Sequence, residues 1–279
     1  VDVICTDKTG TLTRNEMTVT QVILPCGETV TATGTGFSPE GRLVHEGREC
    51  TVENTPVLRA LVEAAVLCND AQLSPPQADG EAWRAMGDPT EAALLTLALK
   101  AGANPALIRT FWPRHAEIPF DSGTRWMLTQ HAAGALTRTV VKGAPESILP
   151  LCPLDAALAA AIHQTATALA SQRLRVLAVA HHLSPERPVS ACPVDMTPLN
   201  GKMRFLGLIA QMDPPREESR AAVAACVHAG IRPVMVTGDH ADTATAVARV
   251  LGILGPEHET LNGAQMDALS ETELVSRLD

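Results

Sequence analysis

Two segments that each have the pattern of a β-strand followed by a polar turn lie at opposite ends of this chain. The first runs from Val1 to Thr6 and leads into Asp7-Lys8-Thr9-Gly10-Thr11, and the second runs from Arg232 to Val236 and leads into Thr237-Gly238-Asp239. Helical periodicity flanks the second strand, as in the α/β crossover unit of a parallel sheet. We interpret both strands as buried members of one α/β sheet, although a long segment separates them.

The intervening segment, residues 16–212, has an α+β pattern. It is expected to contain helices at Pro56–Asn69, Pro89–Ala101 and Leu154–Ser171, an antiparallel meander of strands at Arg114–Phe120, Arg125–His131 and Leu136–Lys142, and further strands at Val176–His181 and Phe205–Ala210. The fold class is therefore α/β, with one domain split by an insertion. The domain boundaries that follow are 1–15, 16–212 and 213–279.

Composition excludes several other classes. Apolar residues make up 46% of the 279, which is enough for a core, and the net charge of −9 disfavours nucleic acid as the main partner. The seven cysteines are scattered without a Cys-x-x-Cys pair, which indicates a reducing compartment. The sequence shows no membrane span, and both of its ends have the appearance of cuts from a longer protein.

The two turns carry residues suited to phosphate chemistry. Asp7 follows a strand, so it is placed at the carboxyl edge of the sheet, where open α/β sheets bind ligands. Such an aspartate can attack phosphorus to form an acyl phosphate, with Mg²⁺ neutralising the repelling charges. Thr237 and the Gly238 amide can hold phosphoryl oxygens. Taken alone, either turn is more often an ordinary loop.

Five ordered motifs decide between these readings. They are Asp7-Lys8-Thr9-Gly10-Thr11-Leu12-Thr13, Met86-Gly87-Asp88-Pro89-Thr90-Glu91, Lys142-Gly143-Ala144-Pro145-Glu146, Asp213-Pro214-Pro215-Arg216 and Thr237-Gly238-Asp239. In this order they closely resemble the large cytoplasmic loop of P-type cation-transporting ATPases, over essentially the whole chain. The resemblance implies a haloacid dehalogenase-like phosphorylation domain, incomplete here, with a nucleotide-binding domain inserted at residues 16–212.

The resemblance also implies roles for residues of the two turns. Asp7 would be the aspartate phosphorylated by ATP, with Lys8 beside it, and Asp7 and the Thr9 carbonyl would bind Mg²⁺. Thr11 would contact the phosphoryl group. The second turn, Thr237, Gly238 and Asp239, would complete the phosphate side of the site.

In the insertion, the resemblance implies a nucleotide pocket. Its expected members are Phe120 stacking on adenine, Glu91, Lys142 and Gly143 near the base, and Arg125 and Arg175 as further nucleotide-binding cations. Arg216, which follows the insertion, is also expected to bind nucleotide. A flat apolar platform for adenine and cations for the triphosphate suit this ligand. Arg125 stands where the family usually has lysine.

As a family member, the chain is expected to be part of a pump on the cytoplasmic side of a membrane. Its partners would be ATP, a transported cation bound by membrane helices outside this sequence, and an actuator domain of the same protein. Calcium is the first choice of ion. The family's later phosphate-contacting lysine and second magnesium carboxylate are missing from the sequence, so we expect weak nucleotide binding and poor self-phosphorylation.

Two alternatives from other classes remain. One is a soluble haloacid dehalogenase-type phosphatase, although those enzymes usually carry a second aspartate where this chain has Thr9. The other is a nucleotide-binding module without turnover. A P-loop ATPase is disfavoured, since the sequence has no Gly-x-x-x-x-Gly-Lys-Ser/Thr motif.

Overall fold

The structure is a computed structural model, and it describes residues 1–78, 81–185, 199–238, 241–255, 259–270 and 272–273. Its contacts divide the chain into two compact units. The nine-stranded unit is Glu16–Pro214, and the split unit combines Val1–Asn15 with Pro215–Asp279.

The nine-stranded unit is built on one antiparallel sheet. Its strands are β2 (Thr18–Ile23), β3 (Thr29–Ala32), β4 (Leu43–His45), β5 (Arg48–Cys50), β8 (Arg114–Asp121), β9 (Trp126–Ala133), β10 (Leu136–Gly143), β11 (Arg175–Ser184) and β12 (Arg204–Met212). They lie in the order β5-β4-β3-β2-β12-β11-β10-β9-β8, and a separate hairpin joins β6 (Gln72–Ser74) to β7 (Arg84–Met86). The predicted meander is confirmed, since β8, β9 and β10 pair antiparallel in sequence order.

Helices cover both faces of this sheet. They are α1 (Pro56–Leu67), α2 (Pro89–Lys100), α3 (Pro105–Phe111), α4 (Pro145–Ile148) and α5 (Ala156–Ser171). The core against α1 and α2 takes Val140 and Val179 from the sheet, whereas the core against α4 and α5 takes the neighbouring Val141 and Ala178. Because successive side chains of a strand point to opposite faces, the central strands are apolar on both.

Local sequence signals explain where α2 begins. The Asp88 carboxylate accepts a hydrogen bond from the Thr90 N–H at 2.7 Å, and Pro89 is the first helical residue. Glu91 lies in the first turn, where the helix dipole favours a negative charge. Asp88 therefore caps the helix, and Glu91 lies in its first turn.

The split unit pairs the two ends of the chain. β1 (Val3–Asp7) and β13 (Arg232–Val236) form a parallel two-stranded sheet, accompanied by α6 (Glu217–His228), α7 (Ala241–Leu251) and α8 (Gly263–Asp267). The prediction that both strands are buried is wrong: Val3 and Ile4 are 41% and 38% exposed, and β13 is only partly buried. Two strands give each other one paired edge and leave most of their faces uncovered.

No helix in the described part of the chain combines the length and the apolar character needed to cross a bilayer.

Candidate active site

The parallel pairing of β1 and β13 brings the two predicted turns to the same edge of the sheet. Asp7 is in register with Val236, so Thr237 and Gly238 follow at the same level. A pocket of about 430 Å³ opens there, lined by Cys5, Thr6, Asp7, Val236, Thr237 and Gly238. The structure thus brings together Asp7, Thr237 and Gly238, while Asp239 lies outside the described residues.

The loop after β1 separates exposed from buried residues. Asp7, Thr9 and Thr11 are exposed, whereas Lys8 and Thr13 are 5% and 0% exposed. The residues suited to contact a phosphoryl group therefore face solvent. Lys8, the residue after the aspartate, is buried.

Hydrogen bonds inside the loop set its shape. The Thr13 hydroxyl donates to the Lys8 carbonyl at 3.2 Å and accepts from the Gly10 N–H at 3.4 Å. Gly10 has a φ of +75°, a left-handed conformation that glycine adopts without steric cost. The Asp7 carboxylate also accepts from the Thr9 N–H at 3.4 Å. Glycine and two threonine groups thus fold the chain sharply around the aspartate.

Arg216 contacts the same loop. Its Nη2 donates to the Gly10 carbonyl and its Nε to the Thr13 carbonyl, both at 3.0 Å. Sequence reasoning expected this side chain to bind nucleotide. The structure directs its donors to main-chain oxygens of the split unit.

In the nine-stranded unit, Glu91 and Lys142 form a shielded ion pair. The Lys142 Nζ donates to Glu91 Oε1 at 2.6 Å, with side chains only 7% and 14% exposed. The other carboxylate oxygen, Oε2, accepts from the Asp70 N–H at 2.8 Å. Because charges removed from water need both a partner and further hydrogen bonds, this arrangement stabilises a lysine and a glutamate in fixed positions.

A buried thiol lies close to this pair. Burial raises the pKa of Cys68 to about 11, and the positive charge of Lys142 opposes that rise. The Cys68 Sγ donates to the Met127 carbonyl at 3.5 Å. The side chain is fully buried, so Cys68 is a core residue.

Arg175 and Phe120 occupy the same end of the sheet. β11 begins at Arg175, β10 ends at Gly143, and Gly143 pairs with Ala178. Phe120, next to the end of β8, is 61% exposed. The Arg175 Nη1 donates to the Thr90 hydroxyl at 2.7 Å, which connects it to the start of α2. The cations and the aromatic ring expected to bind nucleotide thus share one sheet end.

Arg125 lies in the turn between β8 and β9 with a φ of +61°, which is unusual for a residue with a side chain. Its guanidinium is 2.7 Å from Glu146 Oε1, and its carbonyl accepts from the Ala144 N–H at 2.9 Å. Gly143 makes this close approach possible, because a Cβ there would lie 2.4 Å from the Arg125 carbonyl oxygen. The turn and the Lys-Gly-Ala-Pro-Glu motif are therefore braced together.

Sequence reasoning did not assign the partners of these side chains. Neither Asp70 nor Glu146, the last residue of the Lys142–Glu146 motif, received a role. Thr13, whose hydroxyl connects the Lys8 carbonyl to the Gly10 N–H, also received no role of its own. Glu146 could have been suggested from the sequence, as a charged motif residue that can pair with a cation. The hydrogen bond from the Asp70 N–H to Glu91 depends on the tertiary structure.

Comparison with known proteins identifies the family. A family model described as the cytoplasmic domain N of P-type ATPases matches residues 57–218, which is more than half of the chain. The chain belongs to the P-type cation-transporting ATPase family. The resemblance drawn from the ordered motifs is confirmed, and the helix-flanked antiparallel sheet is consistent with the N domain of P-type ATPases.

Curated members of the P-type cation-transporting ATPase family match nearly the whole chain. The probable cation-transporting ATPase F of Mycobacterium tuberculosis (strain ATCC 25618 / H37Rv) is 39% identical over 299 residues, which cover 99% of this chain and 31% of the relative. The calcium-transporting ATPase of Bacillus subtilis (strain 168) is 35% identical, covering 98% and 31%. Calcium-transporting ATPase type 2C member 1 of Bos taurus is 32% identical, covering 98% and 28%. The chain thus spans less than a third of the length of these relatives.

Proposed function

We propose that this chain is the cytoplasmic catalytic part of an ATP-driven cation pump. In this proposal the nine-stranded unit binds ATP, and the γ-phosphate is transferred to Asp7 of the split unit. The single observation that carries the proposal is the register of β1 and β13, which puts Asp7 at the mouth of one pocket with Thr237 and Gly238. A haloacid dehalogenase-like fold of the split unit, and residues 16–212 as its inserted nucleotide domain, belong to the same proposal.

The chemical step is a phosphoryl transfer to a carboxylate. An Asp7 oxygen attacks the γ-phosphorus, and the bond from that phosphorus to the oxygen bridging to the β-phosphate breaks. The products are ADP and an aspartyl phosphate. In this proposal the Thr11 amide and hydroxyl, together with Thr237 and the Gly238 amide, donate to the phosphoryl oxygens.

Magnesium fits the donors of the split unit. The Asp7 carboxylate and the Thr9 carbonyl would hold it, and oxygen ligands are those that Mg²⁺ prefers. Among the described residues, no group of three or more His, Cys, Asp or Glu side chains is able to hold a metal. A metal that arrives with the nucleotide suits this set, since Mg²⁺ commonly combines one or two carboxylates with phosphate and water. When bound, it would neutralise charge between the carboxylate and the phosphoryl group.

In the nine-stranded unit, the exposed ring of Phe120 offers a platform for adenine, and Arg175 offers a charge for the phosphates. The Glu91–Lys142 pair is held in one arrangement by its hydrogen bonds, so both side chains are already ordered before a ligand binds. A preorganised polar pair of this kind loses little entropy on binding. Arg125 already pairs with Glu146, so in this proposal it braces the turn beside Phe120 and contributes less charge to the nucleotide.

The transported ion, in this proposal, is calcium, and the site lies on the cytoplasmic side of a membrane. Support comes from relatives such as the Bacillus subtilis protein, whose name states calcium transport. The ion-binding and actuator parts would belong to the rest of the transporter. A soluble phosphatase is less consistent with Thr9, whose hydroxyl cannot act as the general acid and base that a second aspartate provides. A binding module without transfer would bind ATP and form no aspartyl phosphate.

Titration of ATP into this chain tests the nucleotide site. We expect weak, saturable binding in calorimetry, with a dissociation constant of about 0.1–1 mM, or roughly −4 to −5.5 kcal/mol. Phe120→Ala is expected to weaken binding about fivefold, because an aromatic stacking contact contributes about 1 kcal/mol.

The matched control is Phe111→Ala. Phe111 lies in the same unit and is 67% exposed, close to the 61% of Phe120. Its removal is expected to leave ATP affinity unchanged. Equal loss in both variants, or no binding by the unmodified chain, would contradict the proposed nucleotide site.

A further inference from the structure

We infer that Arg216 is a positioning residue for the Asp7 loop: it fixes the peptide groups that follow Gly10 so that the loop presents its amides to a phosphoryl group. This inference rests on the proposed function for its chemical meaning. Its structural part, the restraint of the loop by Arg216, stands on contacts within the split unit alone.

Three hydrogen bonds join Arg216 to the loop. The guanidinium donates to the Gly10 and Thr13 carbonyls at 3.0 Å, and the Arg216 N–H donates to the Leu12 carbonyl at 2.9 Å. An antiparallel bridge between Thr13 and Pro215 lies beside them. Arg216 therefore donates hydrogen bonds to three of the four carbonyl groups between residues 10 and 13.

The carbonyl of Gly10 is the informative contact. In a trans peptide the C=O and the following N–H point in opposite directions, so holding the Gly10 oxygen directs the Thr11 N–H away from the guanidinium. Glycine permits more backbone conformations than any other residue, and its φ here is +75°. A loop with such freedom needs an external restraint if one orientation of its amides is to dominate.

Arg216 is itself held in place. It is the N-cap residue of α6, and its carbonyl accepts from the Ser219 N–H at 3.2 Å. Its side chain is 37% exposed, and Glu218 Oε1 is 3.9 Å from its Nη1, beyond hydrogen-bonding distance. The loop is therefore tied to the start of a helix through a planar, two-pronged group, which lysine cannot reproduce.

The first test measures the loop directly. Hydrogen exchange of the amides from Thr9 to Thr13 is compared in this chain, in Arg216→Lys and Arg216→Ala, and in the control Arg220→Ala. Arg220 is an exposed arginine on the same helix. Because it is also an arginine, its replacement by alanine makes the same change in charge. We expect faster loop exchange in both Arg216 variants, greater for alanine, with exchange of α6 and α7 unchanged.

Chemical rescue identifies the guanidinium as the cause. Guanidinium ion at millimolar concentration is expected to slow loop exchange in Arg216→Ala and to leave the other proteins unchanged. If Arg216→Ala raises exchange throughout the split unit, that variant has destabilised the whole unit. Arg216→Lys is then the deciding variant, because it keeps the charge and the aliphatic stem. Loop exchange in Arg216→Lys equal to that of the unmodified chain would overturn the inference.

The second test measures phosphorylation in an intact transporter carrying this chain. For Arg216→Ala we expect the rate of aspartyl phosphate formation at saturating ATP to fall about 10- to 100-fold, because misplacement by about 1 Å has effects of this size. The KM for ATP is expected to stay within about twofold. A raised KM with an unchanged rate would instead make Arg216 a nucleotide contact and overturn the inference.

The two tests separate this inference from the proposed function. If the unmodified transporter forms no aspartyl phosphate, the proposed function fails, and loop exchange still decides whether Arg216 positions the loop. If phosphorylation occurs and the Arg216 variants match Arg220→Ala in both tests, only the inference fails.

Discussion

The two units carry their candidate functional residues in opposite environments. The nine-stranded unit has cores on both faces of a large sheet and contains all three tryptophans and all four phenylalanines. The split unit has no aromatic residue, and its described apolar cluster has four buried members. The first shields the Glu91–Lys142 pair from water, whereas the second exposes Asp7 on a loop held by hydrogen bonds.

This contrast shows two ways of holding a charged group. A shielded pair is fixed by mutual attraction and by the packing around it, so removing either partner leaves an uncompensated charge. A carboxylate that must receive a phosphoryl group has to remain accessible, and only local contacts can hold its loop. We therefore expect changes in the nine-stranded unit to affect stability strongly, and changes in the split unit to act locally.

Tryptophan fluorescence separates the two regions. Trp83, Trp112 and Trp126 all lie within Glu16–Pro214, so their emission in a urea titration reports the nine-stranded unit alone. For the split unit, we measure hydrogen exchange of its own backbone amides. The predictions below use both.

Breaking the shielded ion pair should have the largest effect. Lys142→Met leaves Glu91 without its partner, so we expect the nine-stranded unit to lose about 3–5 kcal/mol of unfolding free energy in urea. The double variant Glu91→Gln/Lys142→Met removes both charges and should recover most of the loss. The exposed Lys202→Ala serves as control. A loss below about 1 kcal/mol would mean that the pair is solvated.

Closing the gap at Gly143 should have the next largest effect. An alanine Cβ would lie 2.4 Å from the Arg125 carbonyl oxygen and 2.5 Å from the Trp126 Cβ, so the turn must shift. We expect a loss of about 3 kcal/mol, at the upper end for overpacking. Gly263→Ala in the split unit, where a Cβ meets nothing within 4 Å, should leave the fluorescence transition unchanged. An unaltered transition in Gly143→Ala would show that the brace is loose.

A buried histidine should make the nine-stranded unit sensitive to acid. Burial lowers the pKa of His131 to about 4 from 6.5, and nearby arginines add to the effect. The His131 Nδ1 donates to the Trp112 carbonyl at 3.0 Å, which sets the tautomer of the neutral ring, and its Nε2 lies 2.8 Å from the Thr129 hydroxyl.

A lowered folded-state pKa means that the unfolded chain binds the proton first. The stabilisation is complete above pH 6.5 and is lost as the pH falls towards 4, costing about 2 kcal/mol at pH 5. Urea titrations at pH 7.5 and pH 5 measure the summed loss, to which His181 also contributes because burial lowers its pKa to about 4. The variant His131→Gln should reduce the summed loss by about 2 kcal/mol. An identical pH dependence in the variant would assign the effect to other groups.

The smallest effect should come from the loop of the split unit. Thr13→Val removes a buried hydroxyl that bonds the Lys8 carbonyl and the Gly10 N–H, which costs about 1 kcal/mol. We expect faster exchange of the Gly10 amide and an unchanged fluorescence transition. Thr11→Val, at an exposed position in the same loop, is the control for exchange. A changed transition in Thr13→Val would contradict the local character of this contact.

Much of the fold follows from short-range signals in the sequence. Proline after Asp88 gave the start of α2, and alternating apolar residues gave the meander of β8, β9 and β10. The burial of β1 could not be obtained in this way, because Val3 and Ile4 are apolar whether or not other strands cover them. Exposure depends on how many strands pair, which is a property of the whole unit.

The candidate site was predictable where the main chain determines it. The order of strand and turn predicted that Asp7 and Thr237 meet, and the parallel pairing of β1 with β13 brings them together. The expected role of Arg216 was a nucleotide contact, whereas its donors reach the Gly10 and Thr13 carbonyls. Charge alone does not say which acceptor an arginine reaches, since a guanidinium donates to carbonyl as well as to phosphate oxygens.

The most direct measurement is phosphate labelling of an intact transporter carrying this chain, with γ-labelled ATP, Mg²⁺ and an acid quench. The account predicts an acid-stable, hydroxylamine-sensitive label that disappears in Asp7→Asn and persists in Asp2→Asn, an exposed acid near the same strand. Both variants should retain ATP binding. A label that survives in Asp7→Asn, or no label in the unmodified transporter, would contradict the claim that Asp7 receives the phosphoryl group.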